Sequence, residues 1–214
     1  MTDWLRIIAN LTWWCSLILP LLYLIKLKGA SPAYKYFTYY LISIGVVQCL
    51  QMFWVKVLKA SNNLILFDLY LVLEFLFLTL FLKALIDRKW PMWLFYSVIA
   101  LLVIQFGVDP SVVQGYNGAG VASTHMALVL MCISYLYRSL SHPGDHVMLV
   151  AGLLLYLPIS TITFLAGNLV FDPAYAQSLS LNLIFVNSAA YFGLQLWFIF
   201  IWLRWLRRPS FHSS

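Results

Sequence analysis

The chain has 214 residues, of which 63% are hydrophobic and only 9% charged, with a formal net charge of +6. Soluble globular proteins carry roughly 45–50% apolar and about 25% charged residues, and a domain this small has too much surface for its volume to hide the excess. A water-soluble fold is therefore excluded, and the basic residues, scattered in ones and twos between apolar runs, do not form the stripe that nucleic acid requires.

A bilayer core of about 30 Å needs about 20 apolar residues per helix. Read with that ruler, the chain is an all-α, polytopic transmembrane bundle of seven helices in one domain over residues 1–214, with spans near 5–25, 36–56, 64–86, 90–107, 119–138, 148–170 and 179–205. The first span begins almost at Met1 without a basic leader and reads as a retained helix rather than a signal peptide. Turn-forming or charged stretches punctuate the rest: Lys26 to Pro32, Lys59 to Asn63, Asp87 to Pro91, Asp109 to Gly120, Ser141 to Asp145 and Asp172-Pro173. Cys15, Cys49 and Cys132 fall inside spans and read as buried small hydrophobes.

Alternate loops differ in basic residues. With the N-terminus outside, Lys26, Lys28, Lys35, Lys83, Arg88, Lys89, Arg138, Arg204, Arg207 and Arg208 lie on the inner side and only Arg6, Lys56 and Lys59 on the outer. The positive-inside rule then predicts an external N-terminus and a cytoplasmic C-terminus. The loops are short and the tail stops soon after Arg208, so the activity is expected within the bilayer or through a partner.

Polar groups in hydrocarbon are costly, and an ionisable one is a functional candidate. In the second span Gln48 and Gln51 pair at i, i+3. In the third, Asn63, Phe67, Tyr70 and Glu74 fall at i, i+4, i+7 and i+11, on one face expected to turn inward, with Glu74 near mid-bilayer. Asp68 lies about 120° from that face by helical spacing and nearer the outer surface. The plain structural alternative for Glu74 is a protonated side chain hydrogen-bonded to a neighbouring helix. The fifth span supplies His125. The sixth carries Tyr156, Ser160, Thr163 and Gly167 at similar spacing, with Pro158 expected to kink it. The seventh carries Ser180, Ile184, Asn187, Tyr191 and Gln195. Each stripe alone is the usual polar glue between membrane helices. Taken by depth, they predict a polar cavity opening outward, floored near Glu74, above an apolar plug, with Glu74, Tyr70, His125, Asn187, Tyr191, Gln51 and Thr163 as its ligand-binding residues.

Several chemistries are excluded. No lysine lies in the last span between Leu179 and Leu203, which a retinal Schiff base would need. His125 is alone at its depth, and His142 and His146 are separated by Pro-Gly-Asp, so no zinc set is formed. No cofactor, metal or catalytic set is expected.

The run Tyr70-Leu-Val-Leu-Glu74-Phe75, preceded by Asn62 and Asn63, resembles a pattern in small uncharacterised seven-helix integral membrane proteins of Bacteroidetes-type bacteria, which carry a Tyr-x-x-x-Glu-Phe element in the same helix. Those proteins often place a His in the last span where this chain reads Phe185-Val-Asn187. The resemblance implies a bacterial inner membrane and no mechanism.

Three functions are expected in this order. The first is a receptor-like membrane protein that binds or senses a small ligand, with a signalling partner protein for output. The second is a small transporter of three-plus-one-plus-three organisation. The third is an intramembrane lipid-modifying enzyme, which needs Glu74 and His125 within hydrogen-bond reach as acid and base. The bilayer is the constant partner and nucleic acid is not one.

Overall fold

A computed structural model describes residues 2–59, 64–108, 117–142, 144–166 and 177–206. Among these residues are seven helices: α1 (Thr2–Leu24), α2 (Pro32–Lys56), α3 (Leu64–Ile86), α4 (Trp90–Val108), α5 (Gly118–Ser139), α6 (Val147–Leu165) and α7 (Gln177–Leu206). All seven are long and apolar enough to cross a membrane, and the described residues include no strand. The sequence-predicted sixth span runs on to residue 170, whereas α6 ends at Leu165 with Ala166 as its C-cap; Gly167 lies outside the described residues.

Local chemistry sets the ends. Ser31 accepts the Tyr34 amide at 3.3 Å and Pro32 follows at the first helical position, where its missing N–H costs nothing, so α2 starts there. Asn117 Oδ1 accepts the Gly120 amide at 2.8 Å and the Gln105 side chain at 3.1 Å, which starts α5 and ties it to α4. Asp87, left-handed at φ +50°, ends α3.

Apolar side chains cover the outside of the bundle as well as filling its core. On α1 the outward stripe is Trp4, Ile7, Leu11, Trp14, Ile18 and Leu21, at spacings of three and four, and on α5 it is Met126, Leu130, Ile133 and Tyr137. The buried set includes Ser16, Thr38, Glu74, Thr79, His125, Ser160, Thr161 and Gln195. Hydrocarbon accepts the apolar stripes, and the backbone is satisfied within each helix, so the polar side chains can be kept for the interior. Cys132 is buried, but Cys49 is exposed on the outer face of α2: a thiol is apolar enough for lipid, so its place in a span did not fix its direction.

Six helices close a ring in the order α1, α2, α3, α5, α6, α7 and back to α1, while α4 packs on α3 and α5 from outside. Buried Gln195 donates to Ser16 Oγ at 2.6 Å across the α1/α7 seam. The middle of the ring is an aromatic layer in which Phe37 packs on Phe81 at 5.4 Å and edge-on to Phe198 at 5.0 Å. Tyr23 OH donates to Phe198 O at 3.0 Å and Tyr34 OH to Tyr23 O at 2.9 Å. Lys26 Nζ donates to Trp205 O at 3.1 Å, placing a cation at the C-terminus of α7 where the helix dipole favours it.

Two glycines mark close approaches. Pro20 has no N–H for the Ser16 carbonyl, and a Cβ on Gly45 would sit 3.2 Å from that oxygen, so α1 and α2 meet where α1 lacks a hydrogen bond. A Cβ on Gly152 would lie 2.5 Å from Trp197 Cδ1, and the Trp197 indole is held by its 2.9 Å bond to Met148 O. Gly152→Ala is expected to cost about 1–3 kcal/mol by overpacking the α6/α7 seam, measured by unfolding in mixed micelles. Gly193→Ala, which meets nothing within 4 Å, serves as the neutral comparison.

Candidate functional site

Glu74 lies on α3 with a side chain 2% exposed, and three helices hold it. Its Oε1 accepts from Tyr70 OH, one turn back on α3, at 3.0 Å and from Tyr40 OH of α2 at 3.3 Å. Its Oε2 lies 3.3 Å from His125 Nε2 of α5. His125 Nδ1 in turn lies 3.2 Å from Thr161 Oγ1 of α6. Thr161 donates its one hydroxyl proton back to Leu157 O at 2.7 Å, the usual bond of a helical threonine.

The proton count follows from the Thr161 bond to Leu157 O. Thr161 Oγ1, its own proton committed to Leu157, accepts from His125, so Nδ1 carries a hydrogen. The Nε2···Oε2 contact then needs one further proton, as imidazolium facing carboxylate or as neutral imidazole facing carboxylic acid. Without it, two lone pairs would face each other at 3.3 Å. The pair is thus a single-proton site with zero net charge, which is the state a buried group tolerates.

Above the pair is a cavity of about 320 Å³, at the small end of the roughly 300–1,000 Å³ of ligand pockets. It lies in the half of the bundle that holds the N-terminus, between the first half of α1, the last turns of α2, the first halves of α3, α5 and α7, and the last turns of α6. Of the residues expected to bind ligand, Glu74, Tyr70, His125, Asn187, Tyr191 and Gln51 line it together, with Gln48, Phe67, Tyr156 and Ser160 beside them. Thr163 does not: its Oγ1 donates to Ile159 O at 3.0 Å and stays within its own helix. On the predicted stripes, Asn63 and the Ser180 side chain lie outside the described residues, and Ile184 turns outward. Asp68 also lines no part of the cavity.

Sequence reasoning missed Tyr40, Thr161, Thr12, Trp13 and Ser188. Tyr40 was within reach, since it stands eleven residues before Gln51, about 20° away around α2 and so on nearly the same face. Thr161 was not, because it points across the α5/α6 seam rather than along the stripe of Ser160. Trp13 Nε1, Thr12 Oγ1 and Asn187 Oδ1 are buried in the wall without a hydrogen-bond partner among the described residues.

Two regions lie below the pair, where an apolar plug was expected. The layer of Phe37, Phe81, Phe198 and Leu78 is the plug. At the far end of the bundle, however, a cavity of about 950 Å³ opens among Ser31, Tyr36, Lys83, Asp87, Tyr135, Arg138, Ser139, Asp145 and His146. Arg138 donates to Ile86 O, the last carbonyl of α3. His146, expected in a loop, is the N-cap of α6 and stands edge-on between Phe81 at 5.9 Å and Trp205 at 5.4 Å. Burial pushes its pKa down to about 4, partly offset by Asp145.

No protein-family model, curated protein or solved structure matches the chain. Seven apolar helices make it a multi-pass integral membrane protein, and any further reading rests on this site.

Proposed function

We propose that the chain is a receptor-like membrane protein that binds a small polar ligand in the cavity above Glu74. One observation carries this reading: a buried, single-proton Glu74–His125 pair forms the floor of a cavity whose wall holds buried polar atoms with no internal partner, Asn187 Oδ1 and Trp13 Nε1 among them. Glu74 has both oxygens bonded from α2, α3 and α5 and still lines the cavity, so a ligand that enters meets a braced, preorganised carboxyl group. The distribution of lysine and arginine supports a cavity facing outward. The likeness of the Tyr70 to Phe75 element supports a bacterial inner membrane.

A second reading is a transporter. It is favoured by the ring of six with α4 outside, which divides the chain into α1–α3 and α5–α7 as a three-plus-one-plus-three repeat would. Each seam between the two triplets holds a buried pair of polar side chains, Glu74–His125 at one and Ser16–Gln195 at the other.

Side-selective thiol labelling distinguishes these. In a background without Cys15, Cys49 and Cys132, Asn187→Cys is expected to react with a charged methanethiosulfonate from the N-terminal side, while Leu78→Cys in the plug reacts from neither side. Reaction of Leu78→Cys from the opposite side during ligand turnover selects the transporter. An Asn187→Cys no more reactive than Leu78→Cys contradicts the ligand-binding cavity.

A further inference from the structure

We propose that the cavity takes an organic ammonium ion in exchange for the one proton held between Glu74 and His125. The proposal rests on the cavity being the binding site, and it names the ligand class and its coupling.

The lining chooses the charge. Among its described residues, Glu74 is the single carboxylate, and there is no lysine or arginine. The remaining wall is aromatic and acceptor-rich: Trp13, Phe67, Tyr70, Tyr156, Phe164 and Tyr191 surround the space, and Gln51 and Asn187 offer amide oxygens. An anion would meet a carboxylate and the negative faces of rings. An ammonium ion meets a carboxylate, ring faces that attract cations, and the unpartnered Asn187 Oδ1.

The hydrogen bonds choose the coupling. Glu74 Oε1 is already given to Tyr40 and Tyr70, so a ligand must reach Oε2, where the shared proton sits. If the proton leaves to water, the pair becomes a carboxylate beside a neutral imidazole whose Nδ1 hydrogen still points to Thr161. The incoming ammonium ion then supplies one N–H to Oε2, in place of the donor it has lost, and another to the bare Nε2. One positive charge enters and one leaves, so the cavity stays neutral and no net charge is buried. Keeping the proton while admitting the cation would leave a net charge at this depth, which hydrocarbon opposes.

The other titratable groups facing the pair are tyrosines: Tyr40 from α2, Tyr70 from α3, Tyr156 from α6 and Tyr191 from α7. Neutral phenols can donate or accept but do not compensate a charge near neutral pH. From α1 the lining residues are Ala9, Thr12 and Trp13, which do not titrate. The exchange is therefore confined to Glu74 and His125.

The test is equilibrium binding of benzylammonium to the full chain in nanodiscs, with benzyl alcohol as its uncharged counterpart. The ammonium ion is expected to bind about tenfold or more tightly than the alcohol, the difference a charge-assisted hydrogen bond supplies. Its affinity should strengthen as pH rises, approaching about tenfold per unit where the pair carries its proton. Glu74→Gln should remove the preference for the cation, bringing the affinities of the two probes together. Equal affinity for the two probes, or benzylammonium affinity that does not change with pH, overturns the exchange and leaves the cavity reading standing. If neither probe slows labelling of Asn187→Cys, the cavity reading falls and the exchange falls with it.

Discussion

Glu74→Leu should lower the stability of the folded chain by about 3–5 kcal/mol, the cost of removing one member of a buried polar pair and stranding the others. The substitution leaves Tyr40 OH, Tyr70 OH and His125 Nε2 facing a hydrocarbon side chain, with the Thr161 contact holding the imidazole in place. Glu74→Gln should behave very differently. Its amide oxygen can still accept both tyrosines, and its NH₂ can donate to the bare Nε2 of an imidazole protonated at Nδ1. Glutamine thus copies the protonated acid, and the fold should lose less than about 1 kcal/mol, the scale of one neutral hydrogen bond. The measurement is unfolding of the two variants in mixed micelles. If glutamine proves as damaging as leucine, the fold depends on the negative charge and the neutral form of the pair is not a resting state.

Acidification should destabilise the chain through His146, and the sign follows from its burial. The folded state holds the imidazole at about 4, below its ordinary value of 6.5, because charging it between Phe81 and Trp205 would strip it of water. Between those two values the unfolded state binds the extra proton and the folded state does not, so stability falls as pH drops through that window. The loss reaches about 2 kcal/mol at pH 5 and about 3 kcal/mol below pH 4. His146→Phe keeps the edge-on aromatic contact and removes the titration. The difference in stability between the two proteins should therefore shrink to its acid plateau over this range. A difference that does not change between pH 7 and pH 4 would place His146 in a wetter setting than its packing indicates.

Seven spans were legible because hydrophobicity and length are strong signals in hydrocarbon, where the backbone must satisfy itself within each helix. The bounds were less so. Pro32 to Lys35 join α2 because Ser31 caps it, a local bond that hydropathy does not register. Much of the site was legible for a related reason: Tyr70 and Glu74, Asn187 and Tyr191, and Gln48 and Gln51 each repeat at helical spacing. Polar side chains so placed must share a face, and the face must turn from lipid. What periodicity could not give was contact between helices. It included Thr163, whose hydroxyl stays within α6, and it passed over Thr161, two residues away, which supports His125. It gave no sign that the end bearing Lys83, Arg138 and Asp145 holds a larger cavity than the one around Glu74, because that space lies among residues from separate loops and helix ends.

Proton release tests the single-proton cavity most directly. Benzylammonium is titrated calorimetrically into the full chain at neutral pH in two buffers that differ in ionisation enthalpy. About one proton should appear in solution per ammonium bound, and none with Glu74→Gln or with benzyl alcohol. Tight binding of benzylammonium with no proton released would contradict the account, since the Glu74–His125 pair would then have kept its proton beside a second positive charge.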